Sequence, residues 1–248
     1  MAESSPVTSG VLAAYRELSD RLSALSFGEP VVTVYNPLDY ACAPFEEFQH
    51  RYLTPSPKHL FLGMNPGPFG MVQTGIPFGD PESVRNWLGI TSGVDSPSEV
   101  HPKRPVLGLS SERREVSGQR LWGLFAERFG TPERFFSEHY VANYCPLAFV
   151  AETGRNITPD KLSSEARRLL FDFCDTALRA VINILTPETV IGIGRFAEER
   201  LKAVVADLDR ETPSPRVTRI LHPSPASPAA NRGWAEEATR SLAEAGIW

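Results

Sequence analysis

His59-Leu60-Phe61-Leu62-Gly63 runs straight into Met64-Asn65-Pro66-Gly67-Pro68-Phe69-Gly70. A short run that is apolar at successive positions, not at alternate ones, reads as a strand buried on both faces. The glycines and prolines between Met64 and Asp80 can continue neither a strand nor a helix, so the strand empties into a loop. Asp80 followed by Pro81 is a cap with proline at the first helical position, and it leads into a helix over Glu82 to Leu88.

Outward from that strand, the same alternation repeats. Tyr140-Val141-Ala142-Asn143 is a second strand, Glu188 to Ile193 a third, and Arg216 to Leu221 a fourth. Amphipathic helices lie between them. One is capped by Ser117 and holds Leu121, Trp122, Leu124, Phe125 and Phe129. A long one starts at Thr158-Pro159-Asp160 and reaches about Leu185. Another covers Phe196 to Leu208, and the last runs to about Ala245 after the loop His222 to Asn231. Upstream, residues 1–8 read as a disordered tail, and Thr8 or Ser9 caps a helix carrying Val11, Leu12, Tyr15, Leu18, Leu22 and Leu25. Val31 to Tyr35 is a short extended segment and Phe45 to Tyr52 a short helix, while residues 91–116 read as loop. Strands alternating with helices imply βαβ units: an α/β domain over residues 9–248 with a parallel sheet covered on both faces.

The composition fits one large domain, with 42% hydrophobic and 22% charged residues. A net charge of -5 excludes a global basic field of the kind used to coat nucleic acid, and leaves room only for local basic patches. Cys42, Cys145 and Cys174 are odd in number and form no CxxC pair, so they read as reduced thiols and not as a metal or cluster site. The start lacks a signal sequence, and no apolar run is long enough for a membrane span. The expectation is a soluble intracellular protein without membrane association, in the cytoplasm or nucleoid of a bacterium or the nucleus of a eukaryote.

Ligands of open α/β sheets sit at the carboxyl ends of the strands. The first strand delivers Asn65 there, the second Asn143 and the fourth His222, while Gly192-Ile193-Gly194 leaves the same edge ahead of a helix N-terminus. Each alone has a plainer reading: an asparagine after a strand serves in turns, and a single histidine is often structural. Gly192-x-Gly194-x-x-Ala197 fits a loose dinucleotide fingerprint. However, Asp209 and Glu211, at the distance of its ribose-binding acid, fall in a proline-broken loop, so a DNA phosphate at the helix N-terminus is the better use of Gly194. No G-x-S-x-G elbow, H-E-x-x-H motif or P-loop occurs, and the five histidines show no metal-ligand spacing. Glu46-Glu47 and Glu198-Glu199 diverge around their helices and do not make a glycosidase pair. No metal and no cofactor are expected.

Gly63 to Met71, continued by Gln73-Thr74-Gly75-Ile76-Pro77-Phe78-Gly79, closely resembles the first motif of the single-strand-selective monofunctional uracil-DNA glycosylases. His222 to Trp234 resembles their second motif. Glu115 to Gly123 and Asn143 to Leu147 are similar to further family segments, and all four stand in matching order. The resemblance implies a three-layer α/β/α sandwich around a short, mostly parallel four-stranded sheet. It implies that Asn65 positions the attacking water and that His222 stabilises the departing base. It further implies that Asn143 reads the polar edge of a flipped pyrimidine, Phe78 stacks on it, and Met64, Gly67 and Met71 shape the pocket. The segment Pro223-Ser224-Pro225-Ala226 would be the wedge that enters DNA. Where vertebrate members commonly carry arginine in that wedge, Ala226 stands here, so the Pro-rich backbone, Arg232 or other residues must serve.

No lysine or amino nucleophile stands in these motifs, which fits hydrolysis without a strand-cleaving Schiff base. The expected activity is therefore excision of uracil, extending to oxidised uracils, from single- and double-stranded DNA by base flipping. The alternatives are a superfamily relative acting on hypoxanthine or xanthine, and a non-catalytic DNA- or base-binding protein. Lys103, Arg104, Arg113, Arg114 and Arg120 lie in or beside one loop, and Arg216, Arg219 and Arg232 flank motif two. These are candidate DNA contacts or plain solvated charge. The N-terminus at Ser117-Gly118 is a second candidate phosphate seat.

Overall fold

The computed structural model describes residues 5–208 and 214–248, so Asp209 and Glu211 lie outside the described residues. Its strands are β1 (Val31–Tyr35), β2 (His59–Gly63), β3 (His139–Asn143), β4 (Ala148–Ala151), β5 (Asn156–Ile157), β6 (Thr189–Ile193) and β7 (Arg216–Ile220). Its α-helices are α1 (Pro6–Ser23), α2 (Pro37–Tyr40), α3 (Cys42–Tyr52), α4 (Met71–Thr74), α5 (Pro81–Asn86), α6 (Val116–Phe129), α7 (Pro132–Phe136), α8 (Ser164–Leu185), α9 (Arg195–Ala206) and α10 (Trp234–Glu244).

The main sheet has the order β3-β2-β6-β7 and is parallel throughout, with His59 opposite His139, Leu60 opposite Val190, and Val190 opposite Val217. β2, β3 and β6 are buried at every position, as the apolar run of β2 demands. Side-chain alternation sends Tyr140 to one face, where its hydroxyl donates to Gln49 of α3, and Phe61 to the other, against Phe125 of α6 and Phe135 of α7. α9 joins the first layer because Gly192 has no Cβ, which would lie 2.4 Å from the Glu198 nitrogen. The result is the three-layer α/β/α arrangement. β7 is one of the two edge strands, carrying Arg216 and Arg219 on its exposed positions.

Four local expectations need correction. α1 begins at Pro6 and is capped by Ser5, whose Oγ accepts from the Thr8 N–H at 3.0 Å, so neither Thr8 nor Ser9 is the cap and residues 5–8 are ordered. Proline at N1 after serine is the stronger start signal. Thr158-Pro159-Asp160 opens only a short 3-10 turn, and α8 starts afresh at Ser164 behind the Ser163 cap. β4 and β5 form a second, antiparallel sheet with β1, in the order β1-β4-β5, which the sequence reading left without strands. Finally, α6 is capped by Glu115 and not by Ser117.

His59 and His139 sit side by side at the opposite end of the sheet from Asn143, with ring centroids 5.2 Å apart and both side chains buried. His139 Nδ1 bonds the Phe135 carbonyl at 2.8 Å, but its Nε2 and the Nδ1 of His59 have no partner among the described residues. Burial lowers the pKa of both, that of His139 to about 4. The unfolded chain binds these protons near pH 6.5 and the folded chain does not. Stability is therefore full above that value and is lost as pH falls toward 4. His139 alone contributes on the order of 3 kcal/mol to that loss. Replacing it by phenylalanine, which keeps the stack on Phe135, should flatten the fall of Tm between pH 7 and 4.5. An unchanged acid slope in His139→Phe would remove this pair as the cause.

Candidate active site

The loops that follow β2 and β7 open onto a cavity of about 370 Å³ whose wall includes Met64, Asn65, Phe78, Glu115, Asn156 and His222; Asn143 and Met71 lie buried behind Gly63 and Phe78 and do not line it. The β2–β3 ladder continues past the strand ends, with Tyr144 N–H donating to Gly63 and Cys145 N–H to Met64. Asn65 and Asn143 are thus held on one rigid frame. Asn65 Nδ2 donates to the Leu147 carbonyl at 3.2 Å, which fixes the amide; its Oδ1 has no partner among the described residues. Such an oxygen is available to hold a water.

Asn143 is buried, its Nδ2 directed to the Met71 sulfur at 3.3 Å and its Oδ1 left without a partner among the described residues. A buried acceptor without a donor costs about 1–3 kcal/mol, a cost that a ligand N–H can remove. Gly63 makes this arrangement possible: a Cβ there would lie 2.3 Å from Asn143 Oδ1 and 2.5 Å from Phe78 Cε2. The amide edge and the aromatic ring therefore converge on one point.

Phe78 takes a left-handed backbone, φ 54°, which is rare for a bulky residue and stores strain of order 1 kcal/mol or more. Its carbonyl is pinned by Trp122 Nε1 at 3.0 Å and the Asp80 N–H at 2.7 Å. Gly118 closes on the same oxygen, since a Cβ would stand 2.0 Å from it. The ring is thereby presented toward His222, 6.0 Å between centroids.

His222 Nδ1 accepts from the Ser224 N–H at 3.0 Å, which places the ring proton on Nε2 and makes that atom a donor. The residue is partly exposed, yet protein encloses most of the ring, and that burial lowers its pKa to about 4. The imidazole is neutral at physiological pH. Gly194 lets it sit there, because a Cβ would lie 3.0 Å from His222 Cβ.

The proposed DNA contacts divide. The N–H groups of Ser117 and Gly118 are taken by Glu115, at 3.3 and 2.5 Å, so they offer no seat to a phosphate. Ser117 lines the cavity instead. Gly194 opens α9 without a side-chain cap and, with Arg195, Arg219 and Arg232, lines a second hollow of about 590 Å³ behind His222. Pro225 and Ala226 are exposed at the loop tip, as is Arg232. Arg120 is not a free charge, because it donates to the Pro223 carbonyl and to Asn231 Oδ1, both at 2.9 Å, and so braces the loop. Arg114 is bound to Asp80 and Glu82, and Arg104 and Arg113 lie over the Phe69 ring.

Sequence reading did not single out Glu115 or Asn156 for the cavity wall. The available signal for Glu115 was its place just before Ser117-Gly118, in the position of a helix cap. Among the described residues no group of three or more His, Cys, Asp or Glu is placed to hold a metal.

Residues 50–243 match the model of the uracil DNA glycosylase superfamily. The chain is 48% identical over 238 residues to a single-strand selective monofunctional uracil-DNA glycosylase of Rattus norvegicus, covering 96% of this chain and 84% of the relative. The Mus musculus and Bos taurus proteins of the same name are each 47% identical over 96% of this chain, covering 84% and 86% of those relatives. The fold is also similar to that of wild-type SMUG2 from Pedobacter heparinus, with a TM-score of 0.66, 21% identity, and coverage of 92% of this chain and 97% of that one. The chain belongs to the uracil DNA glycosylase superfamily and, within it, to the single-strand selective monofunctional uracil-DNA glycosylases.

Proposed function

We propose that this protein hydrolyses the N-glycosidic bond of uracil in DNA, in single and double strands, on a nucleotide flipped into the cavity beside Phe78. The observation that carries the reading is the Oδ1 of Asn143, without a partner among the described residues and buried next to the Phe78 ring, which in turn lies 6.0 Å from a neutral His222. Uracil offers an imide N3–H to that oxygen and a face to that ring, and its O2 then meets the Nε2–H of His222. As the C1′–N1 bond lengthens, the sugar becomes oxocarbenium-like and negative charge gathers on the base. The donor at O2 binds that charge more strongly in the transition state than in the ground state. Asn65 Oδ1 holds a water that adds to C1′ and releases its proton to solvent. The base leaves as the anion and is protonated afterwards. No enzyme amine takes part, so the strand stays intact.

DNA is held by few phosphates. Arg232 and the α9 N-terminus serve one side of the pocket, and the Pro223-Ser224-Pro225-Ala226 loop braced by Arg120 fills the gap in a duplex. Three unpaired cysteines fit a reducing intracellular compartment. The test is a gel assay on oligonucleotides carrying one uracil, hypoxanthine or xanthine. Strand breaks at uracil that appear only after alkali are expected. Release of purines alone, or no release with retained DNA binding, would replace this reading by one of its two alternatives.

Gly63→Ala should lower single-turnover uracil excision about 100-fold, because displacing Asn143 and Phe78 by about 1 Å misplaces the base. Retained activity in a folded Gly63→Ala protein would mean that these two side chains do not form the base site.

A further inference from the structure

Pro66, Gly67 and Pro68 line the cavity, and the chain then continues into Phe69. Gly70 and Met71 after it are buried, but Phe69 stays partly exposed. Two guanidinium groups lie over its ring, with Arg113 Cζ 4.7 Å from the centroid and Arg104 Cζ 5.1 Å from it. Cations at such distances are attracted by the ring quadrupole, so the three planar groups hold one another in place.

The surroundings fix this cluster beside the cavity. Buried Gln73 stitches the segment after Arg104 to the first-motif loop: its Nε2 donates to the Pro68 and Pro105 carbonyls, both at 3.0 Å, and its Oε1 accepts from the Leu107 N–H at 2.8 Å. Arg104 Nε donates to the Gly154 carbonyl at 2.6 Å, in the turn between β4 and β5. Arg113 is exposed, and among the described residues its guanidinium has no hydrogen-bond or ion-pair partner, unlike that of Arg114, which is held by Asp80 and Glu82. Lys103 is exposed beside Arg104. The cluster therefore offers planar, positively charged surface next to the place where a nucleotide enters.

We propose that Phe69, Arg104 and Arg113 form a stacking site for an unpaired base of the same DNA strand, one or two nucleotides from the flipped uracil. The assignment rests on the reading above, in which the cavity takes a flipped nucleotide. Aromatic rings and guanidinium planes stack on the face of any base, and the positive charge suits the adjoining phosphate. In a duplex those faces are covered by neighbouring base pairs, whereas in a single strand they are free.

The test is the affinity for a single strand carrying an uncleavable 2′-fluoro-2′-deoxyuridine, read by fluorescence anisotropy. The two bases on one side of it, and then on the other, are replaced by abasic tetrahydrofuran sites, which keep every phosphate and remove only the base faces. Wild type should bind about tenfold more weakly when the bases of one side are missing, the effect of one lost stack. Phe69→Leu and Arg113→Ala should bring that ratio near one, and so should Arg113→Lys, which keeps the charge but not the plane. A wild-type ratio near one on both sides overturns the assignment, as does a tenfold ratio that persists in Phe69→Leu and Arg113→Ala. A ratio kept in Arg113→Lys but lost in Arg113→Ala would make Arg113 a charge contact and overturn the stacking site. If Phe69→Leu fails to fold, the exposed Arg113 variants decide. Failure of wild type to release uracil from an ordinary single strand would instead overturn the functional reading.

Discussion

Asn65→Ala should lower the single-turnover rate on uracil-containing single strands on the order of 10³-fold, while DNA binding stays within a few-fold of wild type. Asn65 is fixed by its bond to the Leu147 carbonyl, and its free oxygen faces the cavity that takes the base. It touches neither the phosphates nor the stacking face, so its contribution arises when the water adds to C1′. Removing an interaction made only in the transition state lowers the chemical step and spares binding. Fold should be preserved, since Asn65 is partly exposed and its side chain makes one hydrogen bond, to the Leu147 carbonyl. A variant with the wild-type rate would remove Asn65 from the mechanism, and one that loses binding and rate together would make it a DNA contact.

His222→Ala should cost about 10²–10³ in rate on uracil, the usual effect of losing one donor to a developing anion. The loss should be smaller on 5-fluorouracil, which leaves more readily as an anion and depends less on the donor. A histidine that merely holds its loop would lower both rates equally and reduce Tm. The pH profile separates two forms of the residue. With a folded-state pKa near 4, His222 stays neutral from pH 5 to 8 and donates through Nε2 throughout. Its titration should therefore leave no inflection near pH 6.5. A rate that falls with rising pH through that value, and flattens in His222→Ala, would show that the imidazolium is the acting form.

Asn65, Asn143 and His222 were legible because each stands at the end of a strand or two residues beyond it, and parallel pairing puts such ends together. Phe78 was harder to read from pattern. Its position depends on a left-handed backbone held by Asp80 close by and by Trp122 and Gly118, 44 and 40 residues along the chain and invisible to local periodicity. The second sheet escaped because β4 and β5 are very short and take their strand character from pairing with β1. The charge near Lys103 to Arg120 was legible as composition but not as use. Arg114 and Arg120 turn inward to Asp80 and to the motif-two loop, which only the tertiary structure decides. Ser117 looked like a cap because serine commonly is one, yet Glu115, two residues earlier, is the cap and accepts from the Ser117 and Gly118 N–H groups.

The central claim is that Asn143 Oδ1 selects the base through its N3–H. Single-turnover excision of uracil and of 3-methyluracil, by wild type and by Asn143→Ala, tests it most directly. Methylation removes the donor and leaves the leaving group similar. Wild type should excise 3-methyluracil about 100-fold more slowly than uracil, as expected when a buried acceptor stays unpaired. Asn143→Ala, which has neither the acceptor nor the crowding, should excise both at similar, low rates. Equal rates on the two bases in wild type, or undiminished discrimination in Asn143→Ala, would contradict the account.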